Sequence, residues 1–531
     1  MPLATIQDTG CSGACPNPRL SSLILVLALP LVAWLLLRRG RLAWRWVALN
    51  LAPVLALWCA SVSITARPLL SGVLVAALLG ALAMVDRAKR AALGEGLVFT
   101  DYALLPLVGR HPSLYLPFLP RGALPAGAAS GALALAALLC LEPARDVPHL
   151  ALLGIAMALG LLLRRADLLA VPSGDLEADT ARFGPLATLA LHRAVAARER
   201  PMRQAHLPPA PIILRGIVPH LVLVQCESFC DPRRFAAAPP LPHWDRLSAE
   251  ALAHGTLAVP GFGANTMRTE FGVLSGAPDS ALGLDRFNPY ARFAHRPVHS
   301  LAHALARHDA RVLHPFDRRF FGRDQVMPCL GFGVFEAAEA FADAPRTGAH
   351  VSDAALGARV IALLRAAEAP AFLFAITMQA HGPWPGEDGW ARWLAHIADT
   401  DRMLGAIAAA GEDLDRPLVL AAYGDHRPAL PAARGGQDTD VLVWRSDRPG
   451  TAAATALDPA GLHGAILAAL GETASPPPRM AITARNPQQA SNITSLVTTY
   501  CAAAKQTWRS VCLRRSAQRV RRLDPARPQL G

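Results

Sequence analysis

The chain has 531 residues, 52% of them hydrophobic, and a formal net charge of +12. That is too long for one ordinary domain, and the apolar residues gather in long runs that a single soluble globule does not need. The basic excess is nearly all arginine, and its densest cluster is the C-terminal "RSVCLRRSAQRVRR". With no zinc-finger spacing and no aromatic-basic RNA-binding motif, anionic lipid head groups explain it at least as well as nucleic acid, which is not expected as a partner.

Along the chain, residues 1–19 read as an N-terminal tail. Five apolar runs follow, near 20–37, 43–63, 68–85, 122–141 and 148–163. A run of about 18 or more apolar residues is long enough to cross a bilayer as a helix. The first run is followed by "RRGRLAWR" rather than a small-residue cleavage site, so it reads as a retained anchor. The expectation is therefore a five-helix transmembrane domain over 20–165. Within it, 98–119 is amphipathic, interrupted by proline, and expected to lie in the membrane interface.

Residues 166–210 turn polar and proline-rich and read as a juxtamembrane linker. From 211 to 474 the pattern changes. Three short apolar runs, at 217–227, 369–384 and 416–426, each end in polar groups. Helix-like segments lie between them, at 241–254, 299–310, 352–368 and 390–411. Alternation of this kind predicts an α/β domain with a mainly parallel sheet covered by helices on both faces. The basic stretch 475–531 opens with "SPPPR" and has the composition of a disordered tail.

The nine cysteines are dispersed, with no CxxC pair and no disulfide framework. "CPNPR" at Cys15 has its proline one place too late for a sulfatase Cys-x-Pro-x-Arg site.

In an open parallel sheet, ligands bind beyond the carboxyl ends of the strands. The three runs end in Glu227, in His381 and in Asp425 with His426. One sheet edge would then hold two carboxylates and two imidazoles, a donor set suited to Mn²⁺, Mg²⁺ or Zn²⁺. Each residue also has a plainer reading: Glu227 as a solvated loop residue, "GDH" as a common loop string, "QAHGPW" as a turn. Thr266, in "GANTMRTEF", has two readings that are compatible. It is an N-cap hydroxyl opening a helix, or a nucleophile whose alkoxide a divalent cation would stabilise.

Taken in order, "VQCESF", "GANTMRTEF", "FFGRDQVMPCLGF", "QAHGPW" and "YGDH" resemble the lipoteichoic acid synthase-like phosphoglycerol transferases of the alkaline phosphatase/sulfatase superfamily. The resemblance covers roughly residues 20–470 and includes five membrane spans ahead of the catalytic domain. It implies Thr266 as the catalytic threonine. It implies Glu227, Asp425 and His426, with Thr266, as ligands of one divalent metal ion, Mn²⁺ foremost. It implies Arg323 and His381 as substrate-binding residues. The reaction so implied moves glycerophosphate from phosphatidylglycerol to a glycan or glycolipid acceptor through a phospho-threonine. The departures are Cys226 and Cys230 flanking Glu227, and Phe321 where tryptophan is common.

The resemblance also implies a bacterial inner membrane location, with the catalytic domain on the periplasmic or extracellular side. The arginines at 38–45 and 86–90 run against that orientation under the positive-inside tendency. Three rival readings are a phosphoethanolamine transferase, a sulfatase-like hydrolase of the same superfamily, and a non-catalytic envelope scaffold or sensor.

Overall fold

The computed structural model describes residues 43–115, 122–204, 214, 217–293, 296–384 and 386–471. The N-terminal tail, the first apolar run and the 475–531 stretch lie outside the described residues.

Two helices among the described residues are long and apolar enough to cross a membrane: α1 (Trp44–Thr65) and α2 (Pro68–Leu93). This corrects the expected five. The apolar helices Gly127–Leu141 and α3 (His149–Arg164) are shorter. With 16 residues, α3 is about 24 Å long against a hydrocarbon core of about 30 Å. Its apolar letters are bounded by Pro148, His149 and Arg164, which a run-length reading does not weigh.

Polar groups tie these helices together. Asn50 of α1 is fully buried. Its amide donates to the Phe183 carbonyl at 2.7 Å and accepts from the Leu186 and Ala187 N–H groups at 3.0 and 3.1 Å. It thereby joins α1 to the junction of α4 (Leu176–Phe183) and α5 (Pro185–Gln204). The Glu142 carboxylate accepts from the Leu69 and Leu70 N–H groups at the start of α2, where a negative charge is favoured. The 98–119 region begins as a short 3₁₀ turn, Asp101–Leu104, and two short helices, Leu105–Arg110 and Pro112–Tyr115.

The remaining elements build one eight-stranded sheet. Its strands are β1 (His220–Cys226), β2 (Ala253–Leu257), β3 (Asp309–Leu313), β4 (Val334–Glu336), β7 (Ala371–Ile376), β8 (Leu418–Gly424), β9 (Thr439–Arg445) and β10 (Thr455–Leu457). A separate hairpin holds β5 (Arg346–Thr347) and β6 (His350–Val351). The spatial order is β10-β2-β9-β8-β1-β7-β3-β4. Strands β8, β1, β7, β3 and β4 run parallel, and β9 is antiparallel to both its neighbours.

Every residue of β1, β7 and β8 is buried, which is why these strands read as continuous apolar runs rather than as an alternation. Leu221 and Leu223 of β1 face a core shared with α7 (Thr266–Ser275) and α11 (Pro459–Leu470). Val222 and Val224 face the opposite core, under α6 (Pro242–Ala249), α9 (Asp353–Arg365) and α10 (Gly389–Glu412). The sheet is thus mainly parallel and covered on both faces. The helix expected over 299–310 is confined to Leu301–Ala304, and β3 starts at Asp309.

Candidate active site

The central trio of the sheet is β7-β1-β8. The register pairs Cys226 with Gly424, so the residues that follow them, Glu227 and Asp425, leave the sheet side by side. The close approach needs a glycine: a Cβ on Gly424 would lie 1.8 Å from the Phe229 carbonyl oxygen. Ser228 turns the chain with a φ of 51°, a conformation costly for a non-glycine residue and concentrated at functional sites. Its N–H donates to Asp425 Oδ1 at 2.8 Å, its hydroxyl to Glu227 Oε1 at 2.9 Å. The Glu227 N–H donates to the Thr377 hydroxyl at the end of β7 at 2.8 Å.

Glu227, Asp425 and His426 form a buried cluster whose donor atoms all lie within 4.8 Å of one another. His426 Nδ1 sits 3.0 Å from the Arg427 carbonyl. A carbonyl only accepts, so Nδ1 carries a proton and Nε2 faces the cluster, 3.5 Å from Glu227 Oε1 and 3.4 Å from Asp425 Oδ2. Asp425 Oδ1 is satisfied by two N–H groups, but buried Oδ2 has no hydrogen-bond partner.

Burial and the neighbouring Glu227 carboxylate push Asp425 up to about 6. Burial opposes the charged forms of Glu227 and His426 as well. His381 and His426 nevertheless hold Glu227 below its ordinary value, and the two carboxylates raise His426. Two carboxylates and an imidazole crowded together with an unpartnered oxygen are a donor set that fits a divalent cation, which would compensate the crowded charge.

Thr266 is the first residue of α7 and is 6% exposed. The cap position belongs to Asn265, in the left-handed region at φ 72°, with no side-chain capping bond. The N-cap reading of Thr266 is therefore overturned by one residue. The Thr266 hydroxyl lies close enough to Asp425 to favour its carboxylate, without the geometry of a formed hydrogen bond to Oδ2. One turn on, the Thr269 hydroxyl donates to the Asp425 carbonyl at 2.8 Å, pinning α7 to the end of β8.

Arg323 opens α8 (Arg323–Cys329) and is 1% exposed. Its Nε and Nη2 donate to the two oxygens of Glu270 at 3.0 and 2.6 Å, and its Nη1 to His314 Nε2 at 3.2 Å. Of the five guanidinium N–H groups, two lie outside these pairs. Arg323 also contributes to keeping Glu227 ionised. Tyr290 hydroxyl and Gln225 amide donate to Glu270 as well. His381, half-buried in the loop after β7, favours the ionised form of Glu227 and stands 5.9 Å, ring to ring, from His350.

The structure thus brings Thr266, Glu227, Asp425 and His426 together, with Arg323 and His381 within electrostatic reach. Several neighbours escaped the sequence reading. Glu270 lies four residues after Thr266 on the same helix, a spacing that places two side chains on one face. His314 follows β3 as Glu227 follows β1, but β3 is only five residues long and reads poorly as a strand. Burial and Arg323 press His314 well below its ordinary value, so it is a neutral acceptor. Cys226 and Cys230 do not perturb the cluster as acids. Both pack in the core under α6, and burial raises both thiols. Phe321 adopts φ 57°, and its ring lies 5.3 Å from the Arg323 guanidinium carbon.

Comparison with known proteins gives the following similarities. The family model described as Sulfatase matches residues 219–471. This segment is therefore similar to sulfatase-family domains. The chain is 35% identical over 277 residues to the capsular polysaccharide biosynthesis protein RkpI of Rhizobium meliloti (strain 1021), covering 48% of this chain and 51% of RkpI. It is 28% identical over 246 residues to a putative cyclic beta-1,2-glucan modification protein of the same organism, covering 42% of this chain and 37% of that protein. The chain therefore spans about half, or less, of these relatives' lengths. Among solved structures, the phosphoglycerol transferase GacH of Streptococcus pyogenes in complex with sn-glycerol-1-phosphate aligns with a TM-score of 0.43 and 18% identity. That alignment covers 52% of this chain and 79% of that one.

Proposed function

We propose that the protein is a membrane-anchored, metal-dependent phosphoglycerol transferase. In this reading phosphatidylglycerol is the donor, and a glycan or glycolipid of the cell envelope is the acceptor. The observation that carries the reading is Thr266, buried at the first position of α7 beside the Glu227–Asp425–His426 cluster. The ordered motifs that resemble the phosphoglycerol transferases support the donor. The names of the two Rhizobium relatives, a capsular polysaccharide protein and a glucan modification protein, support a glycan acceptor.

A divalent ion held by Glu227, Asp425 and His426, with Mn²⁺ the first choice, would supply stabilisation of the threonine alkoxide and of charge on the phosphoryl oxygens. The chain's residues do the rest. The Thr266 Oγ–P bond forms as the bond from phosphorus to the diacylglycerol oxygen breaks. Thr266 gives up its proton, and the leaving diacylglycerol oxygen takes one up. An acceptor hydroxyl then displaces Thr266 and restores it. The two N–H groups of Arg323 outside its pairs with Glu270 and His314 hold the phosphate, and His381 holds phosphate or glycerol. The domain division proposed is a membrane region over 20–165, a linker over 166–210 and the catalytic domain over 211–474. The catalytic domain faces the periplasm or exterior, where an envelope glycan is accessible.

The test is intact-protein mass spectrometry of the full chain with phosphatidylglycerol and Mn²⁺, beside Thr266→Ala. A glycerophosphate adduct on the wild type alone, mapped to Thr266, is expected. An adduct with phosphatidylethanolamine instead would transfer the reading to a phosphoethanolamine transferase. Metal-free protein with no adduct from either lipid would leave the scaffold reading in place.

A further inference from the structure

The sulfatase-like segment begins at residue 219, yet the first turn of α7 is gripped by a residue far upstream. Arg268, two residues after Thr266, is 6% exposed. Its Nη1 and Nη2 donate to both oxygens of Glu95 at 2.6 and 2.9 Å. Its Nε donates to the Phe287 carbonyl at 3.0 Å and Nη1 also to the Pro260 carbonyl at 3.4 Å. Glu95 lies two residues past the end of α2, after the Gly94 cap, and is itself fixed there. Lys89 Nζ bridges Glu95 at 3.0 Å and Asp101 at 2.9 Å. The Asp101 carboxylate accepts from the Val98 N–H, and Asp86 from the Leu97 N–H, each at 2.9 Å.

On the other side of the nucleophile loop, the Gly263 N–H donates to the Arg427 carbonyl, one residue past His426, at 3.1 Å. The loop 260–265 is thus held between the metal-ligand strand end and the membrane-proximal segment. Phe262 and Asn265 also border a cavity of about 270 Å³ with Leu93 and Glu95. On this face the Arg268–Glu95 ion pair adjoins the cavity, and Leu93 packs against Gly263.

We propose that Glu95 is a positioning residue of the site. From the end of a membrane-length helix it clamps Arg268 in a two-oxygen fork and so sets the first turn of α7, and Thr266 with it, against Glu227, Asp425 and His426. The consequence is that the nucleophile's placement depends on the membrane region and not on the sulfatase-like segment alone. Only the turnover readout of this inference rests on the transferase reading above.

The test uses the full chain in lipid nanodiscs, as wild type, Glu95→Gln, Glu95→Asp and Arg268→Lys. Amide hydrogen exchange is followed by mass spectrometry. Diacylglycerol release from phosphatidylglycerol with Mn²⁺ is measured in parallel. Glu95→Gln is expected to speed exchange at least about tenfold in peptides spanning 261–270 while β1, β7 and β8 stay protected. It is expected to lower kcat at least about tenfold with KM within about twofold, the split expected when only transition-state alignment is lost. Glu95→Asp keeps the charge and should recover part of kcat. Arg268→Lys keeps the charge but loses the fork and should reproduce the local exchange signature, and it carries the test should Glu95→Gln not fold. Unchanged exchange in 261–270, or a rise spread evenly over the domain, overturns the proposal, as does an unchanged kcat. Should the wild type neither release diacylglycerol nor form the adduct, the transferase reading falls, and the exchange contrast alone decides the role of Glu95.

Discussion

The buried pair Arg323–Glu270 offers the sharpest test of how the site is built. Glu270→Gln keeps the shape and removes the charge. Arg323 is 1% exposed and Glu270 0%, so water cannot replace the lost partner. The pair is bidentate, at 3.0 and 2.6 Å. Breaking a buried pair by removing one partner typically costs about 3–5 kcal/mol, because a charge is left uncompensated. For a domain of this size each kcal/mol moves the unfolding midpoint by about 2–4 °C, so a fall of about 6–20 °C is expected.

The assay is thermal unfolding of the full chain in detergent, followed by tryptophan fluorescence. The double variant Glu270→Leu with Arg323→Met closes the cycle. An apolar pair of similar volume removes the orphaned charge, so it should be less destabilised than the sum of the single variants by at least about 2 kcal/mol. A midpoint shift under about 2 °C for Glu270→Gln, or strict additivity in the cycle, would refute the view that Arg323 is first a partner of Glu270 and only then a phosphate ligand.

Three further outcomes are expected. Asp425→Asn should lower the metal retained by the purified chain at least about tenfold, read by elemental analysis, because the unpartnered Oδ2 becomes an amide group that cannot ligate as a carboxylate; unchanged metal content would remove Asp425 from the ligand set. Gly424→Ala should destabilise by about 3 kcal/mol in a denaturant titration, since its Cβ meets a backbone carbonyl that cannot rotate away. Burial holds Asp353 up at about 7, so between pH 4 and 7 the native chain keeps a proton that the unfolded chain has lost. Stability from this group is present below about pH 4 and is lost as pH rises through 7. Asp353→Asn should then match the wild type near pH 4 and exceed it at pH 8 by up to about 4 kcal/mol, from roughly 3 units at 1.4 kcal/mol each. An equal offset at both pH values would contradict this.

Reading and structure diverge where length and distance in sequence mislead. The apolar run at 148–163 looks like a span, but its helix is bounded by His149 and Arg164 and falls short of the bilayer core. Thr266 looked like a cap from its motif, yet the left-handed residue that opens the helix is Asn265. Glu270 stood in plain view inside "GANTMRTEF", but its partner Arg323 lies 53 residues away. No local pattern reports a pairing at that separation.

By itself the sequence determined the α/β class and the polar residues at the strand ends. Short apolar runs that end in polar groups and alternate with helical segments are the pattern of strands buried on both faces, and the residues that follow such strands emerge at the sheet's carboxyl edge. What only the tertiary structure decided is which strand ends are neighbours. The order β7-β1-β8, and the register that sets Cys226 against Gly424, bring Glu227 beside Asp425 across nearly 200 residues. The clamp of Glu95 on Arg268 was equally hidden. Side-chain charge and period are local properties, but the closing of a long loop is set by the packing of the whole core.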